Sequence, residues 1–181
     1  MLRAGGVLVA LSALAVVAVG GAASADTASK RAAAKITMEK DGRELLFDGP
    51  ASVEKGTKLK IENLTNPRRV GPHTFTLIKK GAIPKSKNEI KKCGNFELAV
   101  CRKIFKAHEV DPKTFEVGEP DVERGKHGWD AAFSNHRKGD SWYTEKKGEA
   151  DSRKVKADVG KTLHFFCLVH PEMVGKIKVE G

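Results

Sequence analysis

The chain has 181 residues and carries 33 Lys and Arg against 23 Asp and Glu, which gives a formal net charge of +10 at neutral pH. This length suits one domain with a single hydrophobic core of ordinary size, and nothing in it requires a second domain. The positive charge favours a negatively charged partner, which would be an acidic protein, an anionic wall or membrane surface, or nucleic acid.

The first 25 residues predict an export signal peptide. Arg3 is the only charged residue among them, residues 7–19 are all apolar or small, and residues 23–25, Ala-Ser-Ala, fit the small-x-small cleavage rule. The apolar run is too short to predict a membrane span, although an uncleaved anchor stays open as an alternative. We therefore expect a periplasmic or extracellular protein that begins at Asp26 after cleavage, and export makes nucleic acid the least expected partner.

The mature chain is expected to form one β domain over residues 36–181. Residues 26–35 have no large apolar side chain and predict a flexible leader. Beyond them, short apolar segments alternate with turn signals, of which Asp41-Gly42 is a typical hairpin turn. Residues 58–62 alternate polar and apolar side chains, as a half-buried strand does. This spacing predicts an all-β sandwich of two sheets with Greek-key connections.

Residues 79–140 interrupt the strand pattern and are interpreted as a partly helical insertion. Apolar spacing over residues 86–108 predicts one or two short basic helices, with a break at Gly94-Asn95. Three cysteines in an exported chain predict one disulfide and one thiol with another role. Cys93 and Cys101 are the expected pair, because a turn at the break would bring them together. The alternative is that both are buried, unpaired thiols.

A thiol, an imidazole and a thioether lie within seven residues near the C terminus, at Cys167, His170 and Met173. Copper prefers these ligand types, whereas magnesium and calcium do not. A mononuclear blue-copper centre also needs a second imidazole, which an earlier strand must supply. His73 is the candidate, because it begins a predicted strand at residues 73–78 and projects from the core side of that strand.

These motifs resemble those of a known family. Residues 166–180 resemble the short ligand loop of amicyanins, in which Cys-x-x-His-Pro-x-Met is followed by Gly-Lys and a β strand, and residues 71–75 are similar to the first ligand motif. The chain therefore resembles the cupredoxins, most closely the amicyanin and plastocyanin group. The resemblance implies a cupredoxin-like Greek-key β-sandwich with a helical insertion. It also implies a type 1 copper ion, and the implied ligands are His73, Cys167, His170 and Met173.

The same resemblance implies how the site is held and where electrons leave it. Asn63, or Asn66 in its place, would tie the two ligand loops together. His170 would reach the protein surface through an apolar rim and would be the exit for the electron. The residues of this rim would be Leu168, Val169 and Pro171.

An electron carrier is the expected function, because two imidazoles, one thiolate and a weak axial thioether suit both Cu(II) and Cu(I). The other four histidines are scattered and form no His-x-His pair, so a carrier is favoured over a copper enzyme. The expected protein is a monomer that meets an acidic redox protein, with peripheral contact to an anionic surface as a further option. The expectation of an acidic partner or an anionic surface follows from residues 79–108, which hold nine Lys and Arg but only two Asp and Glu.

Other interpretations of the C-terminal motif stay open. The first is copper storage, delivery or resistance without an electron-carrier role. Zinc is a second, although structural zinc usually takes more sulfur and a methionine ligand favours copper. A nucleophilic pair of Cys167 and His170 is a third, although on a tight loop the two more readily converge on one ion. The last is an ordinary buried thiol beside a surface histidine.

Overall fold

The computed structural model describes residues 33–111, 113–114, 123–134 and 138–181. The predicted signal peptide and residues 26–32 of the predicted leader lie outside these ranges. The first strand begins at Ala34, so the last two residues of the predicted leader belong to the sheet. Within the described ranges, no helix combines the length and the apolar character needed to cross a membrane.

Ten strands and three short α-helices make up the described secondary structure, with one 3-10 turn at Lys80–Ala82. The strands are β1 (Ala34–Asp41), β2 (Glu44–Asp48), β3 (Ser52–Glu54), β4 (Lys58–Asn63), β5 (His73–Ile78), β6 (Glu123–Arg124), β7 (Ser141–Thr144), β8 (Ala150–Lys154), β9 (Thr162–Phe166) and β10 (Val174–Glu180). The helices are α1 (Pro67–Val70), α2 (Lys87–Gly94) and α3 (Ala99–Ala107).

The strands form two sheets, with the orders β2-β1-β4-β8 and β3-β10-β9-β5-β7-β6. The pairs β1–β4 and β3–β10 are parallel, and the others are antiparallel. The chain changes sheet after β2, β3, β4, β7 and β8. Such exchange between two facing sheets is the Greek-key type of connection. The predicted all-β sandwich is therefore confirmed.

The core between the sheets is built by alternation along the strands. In β4, Leu59 and Ile61 are fully buried, whereas the charged residues that alternate with them, Lys58, Lys60 and Glu62, are exposed or partly exposed. Aromatic rings fill the centre of the sandwich, with the ring of Phe75 4.6 Å from Phe165 and 5.0 Å from Trp129. These contacts combine a large buried apolar area with favourable ring geometry, and they fix the position of β5 against β9.

The insertion packs on the outer face of the second sheet. It forms a second apolar cluster, whose main members are Ile78, Cys93, Phe96, Cys101, Ile104, Phe105, Phe166 and Leu168. Helix α2 begins with a capping box of Ser86 and Glu89 and ends at Gly94, the predicted break. The predicted disulfide Cys93–Cys101 is confirmed, with the two Cα atoms 5.3 Å apart. Because of this cover, β5 is buried on both faces.

Candidate metal centre

The register of β5 and β9 brings the two halves of the site together. Thr76 pairs with Phe166, so the chain leaves β9 at Cys167 beside the first residues of β5. His73 is the first residue of that strand and is fully buried. Two ligand candidates 94 residues apart in the sequence thus become neighbours because of one antiparallel pairing.

The loop after Cys167 is closed on itself by backbone hydrogen bonds. The Cys167 N–H donates to the carbonyl of Met173 at 2.9 Å, and the Met173 N–H donates to the carbonyl of His170 at 2.8 Å. Strand β10 begins directly after the loop. This tight turn folds the His170 ring back toward the sulfur from which the loop started.

The three side chains converge on one point. The Cys167 sulfur lies 3.8 Å from Nδ1 of His73 and 3.6 Å from Nδ1 of His170. The three ligand atoms all lie within 4.8 Å of one another. A metal ion about 2.3 Å from a sulfur and about 2.0–2.1 Å from a nitrogen, in trigonal arrangement, holds those two atoms about 3.8 Å apart. The observed separations therefore fit a single ion bound by all three atoms.

Burial keeps these three groups neutral when no ion is bound. It raises the pKa of the Cys167 thiol, and the hydrogen bond from the backbone of Thr74 opposes this only in part. Burial, assisted by the nearby His170, lowers the pKa of His73 to about 4, and burial also lowers the pKa of His170. Neutral imidazoles are the form that binds metals, and the thiol must lose its proton to an incoming ion.

The environment of the fourth predicted ligand is apolar. Met173 is 1% exposed and lies in the same buried cluster as Cys167. The Met173 carbonyl accepts the hydrogen bond from the Cys167 N–H that closes the ligand loop, so the backbone of Met173 lies next to that of Cys167. The coordination of a metal by its sulfur stays a prediction.

Thr74 makes the connection between the two ligand loops. Its hydroxyl accepts a hydrogen bond of 2.7 Å from the Leu168 N–H, and its own N–H donates to the Cys167 sulfur at 3.3 Å. Asn63 instead accepts from Thr65 and donates to the carbonyl of Lys146. The role implied for Asn63 is therefore wrong, because that side chain faces the turn before β8 rather than the ligand loop.

Asn66 does not take that role either. Its side chain caps α1 by accepting a hydrogen bond of 3.1 Å from the Arg68 N–H. Sequence reasoning missed Thr74, although it directly follows His73. Alternation places its side chain on the opposite face of β5, which is the face that Leu168 approaches.

A chain of buried hydrogen bonds continues from Thr74 to the insertion. Thr76 donates to the Thr74 hydroxyl at 3.0 Å and shares a 2.7 Å hydrogen bond with Ser141 of β7. The Ser141 hydroxyl in turn lies 2.7 Å from Nε2 of His108, the residue that ends α3. All four side chains belong to residues that are at most 1% exposed. The chain links the insertion to the ligand loop through polar groups that are mutually satisfied.

Replacing Thr74 with valine is expected to destabilise the metal-free protein by about 1–3 kcal/mol, because the buried Leu168 N–H loses its acceptor while the shape of the side chain is kept. Urea denaturation of the metal-free variant measures this loss. Thr162→Val in β9 is the control, since Thr162 is exposed and its replacement should change stability by less than about 0.5 kcal/mol. Equal stability of the two variants would show that the Thr74 hydrogen bond contributes nothing.

The surroundings of His170 differ from those implied by the resemblance. Leu168 and Pro171 are buried, so Val169 is the one partly exposed member of the predicted rim. Leu168 is covered because the insertion packs on it. His170 remains partly exposed, but its Nε2 lies 2.7 Å from the carbonyl of Val70, to which it donates in its Nε2-protonated form. The predicted rim is apolar, but it reaches the surface only at Val169 and at the partly exposed His170.

No protein-family model matches the chain, and no curated protein matches it. Three solved structures of auracyanins resemble it. Dithionite-reduced auracyanin from Roseiflexus castenholzii and auracyanin B each give a TM-score of 0.41 at 14% identity, over 81% of this chain and 95% and 87% of theirs. Auracyanin A, described as a blue copper protein from Chloroflexus aurantiacus, gives a TM-score of 0.40 at 16% identity, over 81% of this chain and 98% of its own.

Proposed function

We propose that this chain is an exported blue copper protein that carries single electrons between redox partners through a mononuclear type 1 copper site. The observation that supports the proposal is the convergence of one buried thiol and two imidazole Nδ1 atoms, at 3.8 and 3.6 Å from the sulfur. One thiolate with two imidazoles is a donor set typical of blue copper, and a nearby methionine favours copper over zinc.

In this proposal the four predicted ligands have distinct roles. Cys167 supplies the thiolate, His73 and His170 supply the imidazoles, and Met173 supplies a weak axial sulfur. Copper bound in this way supplies a one-electron couple whose two oxidation states accept nearly the same geometry. The protein contributes rigidity, since the loop is closed by backbone hydrogen bonds and Thr74 fixes the position of the sulfur. It also keeps water away from the thiol, which is fully buried.

The burial of the ligands favours a carrier over a protein that delivers copper. His73 and Cys167 are both 0% exposed, so an acceptor protein could not reach these atoms without opening of the ligand loop. An electron, in contrast, needs no displacement of the ligands. The other histidines of the sequence form no His-x-His pair, which is why a carrier is proposed rather than an enzyme with further copper centres.

Addition of one equivalent of Cu(II) to the protein is expected to give an intense blue colour. The thiolate–copper bond should produce a strong visible charge-transfer band, a narrow copper hyperfine splitting in the electron paramagnetic resonance spectrum, and reversible one-electron reduction. Visible and paramagnetic resonance spectra with cyclic voltammetry measure these properties. A pale, ordinary Cu(II) spectrum would exclude a type 1 site. A blue but irreversible centre would favour storage or delivery.

A further inference from the structure

The outer surface of the insertion carries an excess of positive charge. All nine Lys and Arg side chains of residues 79–108 are exposed, against two acidic residues in the same segment. One of these, Glu89, already accepts three hydrogen bonds from the start of α2. None of the nine basic side chains forms an ion pair with another described residue, whereas Lys55 and Lys60 on the rest of the domain do. We call this set of nine side chains the basic face.

An apolar cleft lies beside the basic face, where the insertion meets the ligand loop. It has a volume of about 330 Å³, and its lining includes Gly94, Phe105, Leu168 and Val169. Gly94 ends α2 and Phe105 lies in α3, so both helices of the basic face contribute to the cleft. Leu168 and Val169 directly follow Cys167, so the opposite wall of the cleft is the ligand loop itself.

On each of the two helices, a basic residue lies one turn from a residue that lines the cleft. Residues three apart lie on the same side of a helix. Lys91 therefore stands one turn from Gly94 in α2, and Arg102 stands one turn from Phe105 in α3. Both basic residues are exposed. A partner that places an apolar side chain in the cleft would meet positive charge around it.

We propose that the basic face and the cleft together are the docking surface for an acidic redox protein, with electron transfer over Leu168 and Val169. This inference rests on the proposed copper function and names the kind of partner. The covalent path from the Cys167 sulfur to the cleft is short: it runs through the side chain and backbone of Cys167 to Leu168, the next residue, which lines the cleft. The edge of His170, in contrast, is engaged by the Val70 carbonyl at 2.7 Å.

Charge complementarity decides the nature of the partner. A basic face attracts an anionic partner, speeds its encounter and loses this effect as the salt concentration rises. A protein surface can project a side chain into a cleft of about 330 Å³, which the flat surface of a membrane does not fill. An acidic protein is therefore favoured over an anionic lipid surface.

The test compares two double variants that change the net charge equally. Lys91→Glu with Arg102→Glu alters the basic face beside the cleft. Lys58→Glu with Lys154→Glu is the control, because these exposed residues are cross-strand neighbours in the first sheet. The first measurement is the rate at which hexacyanoferrate(III), an anionic one-electron acceptor, oxidises each Cu(I)-loaded protein at low salt. The second is the binding of poly-L-glutamate, a mimic of an acidic protein surface, to each metal-free protein.

The basic-face variant is expected to react about tenfold more slowly, whereas the control should change by less than about threefold. The basic-face variant should also lose most of its affinity for poly-L-glutamate, with the blue band and the reduction potential unchanged. Equal effects in both variants would overturn the inference while leaving the proposed function intact. Binding to phosphatidylglycerol vesicles that is lost in the basic-face variant, without loss of poly-L-glutamate binding, would overturn the choice of a protein partner. A wild-type protein whose bound copper exchanges no electron with any donor or acceptor would overturn both proposals.

Discussion

Cys167→Ser is expected to abolish the blue colour of the copper-loaded protein completely. The visible band of a type 1 site arises from charge transfer between a thiolate and Cu(II), and a serine hydroxyl cannot supply it. The protein should still fold, because serine is slightly smaller than cysteine and its oxygen can accept the hydrogen bond that Thr74 now donates to the sulfur. Visible spectra of both proteins after addition of one equivalent of Cu(II) measure the loss, and circular dichroism measures the fold.

The matched control for this variant is His164→Gln. His164 lies in β9, three residues before Cys167, and is partly exposed on the opposite side from the site. Its replacement should leave both the intensity of the band and the copper stoichiometry unchanged. Blue colour retained in Cys167→Ser would contradict the ligand assignment. Loss of colour in both variants would mean that the copper site depends on histidines other than those assigned.

The local part of the site could be predicted from the sequence because its residues are close together in the chain. Cys167, His170 and Met173 lie on one short loop, and a loop of that length cannot separate their side chains widely. His73 could be found because copper chemistry required a second imidazole and strand alternation placed this one on the core side. In the structure, the ligand atoms of His73, Cys167 and His170 all lie within 4.8 Å of one another, as this reasoning requires.

The contacts made by the insertion could not be predicted in the same way. Polar and apolar side chains alternate in β5, which is typical of a strand with one solvated face. This pattern alone indicates that Thr74 and Thr76 face solvent. Both are buried, because the insertion covers that face of the sheet. The periodicity of side chains along a strand does not indicate which distant segment of the chain packs on each of its faces. The hydrogen-bond chain to His108 was therefore missed, and His108 was counted among the scattered histidines.

The same limit explains the two wrong expectations about the ligand loops. The resemblance implied a role for Asn63, at the end of β4, or for Asn66, but hydrogen bonding depends on the direction of the side chain. Asn63 bonds to Thr65 and to the distant carbonyl of Lys146, and Asn66 accepts from the Arg68 N–H. The resemblance placed Leu168 in the apolar rim around His170, without regard to the insertion. Here the insertion supplies the neighbours that bury it. The neighbours of Asn63 and of Leu168 are thus set by tertiary packing.

A buried arginine, Arg153, connects the two sheets. It lies in β8 and is 5% exposed, with Nε 2.6 Å from the Asp151 carboxylate. Its Nη2 donates to the carbonyl of Ser141 in β7 at 3.2 Å, and its guanidinium lies 4.1 Å from the ring centre of Trp129. One side chain thus contacts Asp151 of its own strand, the Ser141 carbonyl of the other sheet and the ring of Trp129.

Arg153→Met is expected to destabilise the metal-free protein by about 3–5 kcal/mol, which is the usual cost of removing one partner from a buried ion pair. Methionine fills much of the volume, but Asp151 keeps a largely buried negative charge and the Ser141 carbonyl loses its donor. This loss is a large fraction of the total stability of a domain of this size, which is about 5–15 kcal/mol. Urea denaturation of the metal-free protein at neutral pH measures it.

Lys154→Met is the control, because it makes the same kind of change at the next residue of β8, where the side chain is exposed. Its effect should stay within about 0.5 kcal/mol. The double variant Arg153→Met with Asp151→Asn should recover part of the lost stability, since it removes the uncompensated charge. If Arg153→Met is no less stable than the control, the contacts of the Arg153 guanidinium do not stabilise the fold. If the double variant recovers nothing, the stacking on Trp129 and the contact with Ser141 contribute the stability instead of the charge pair.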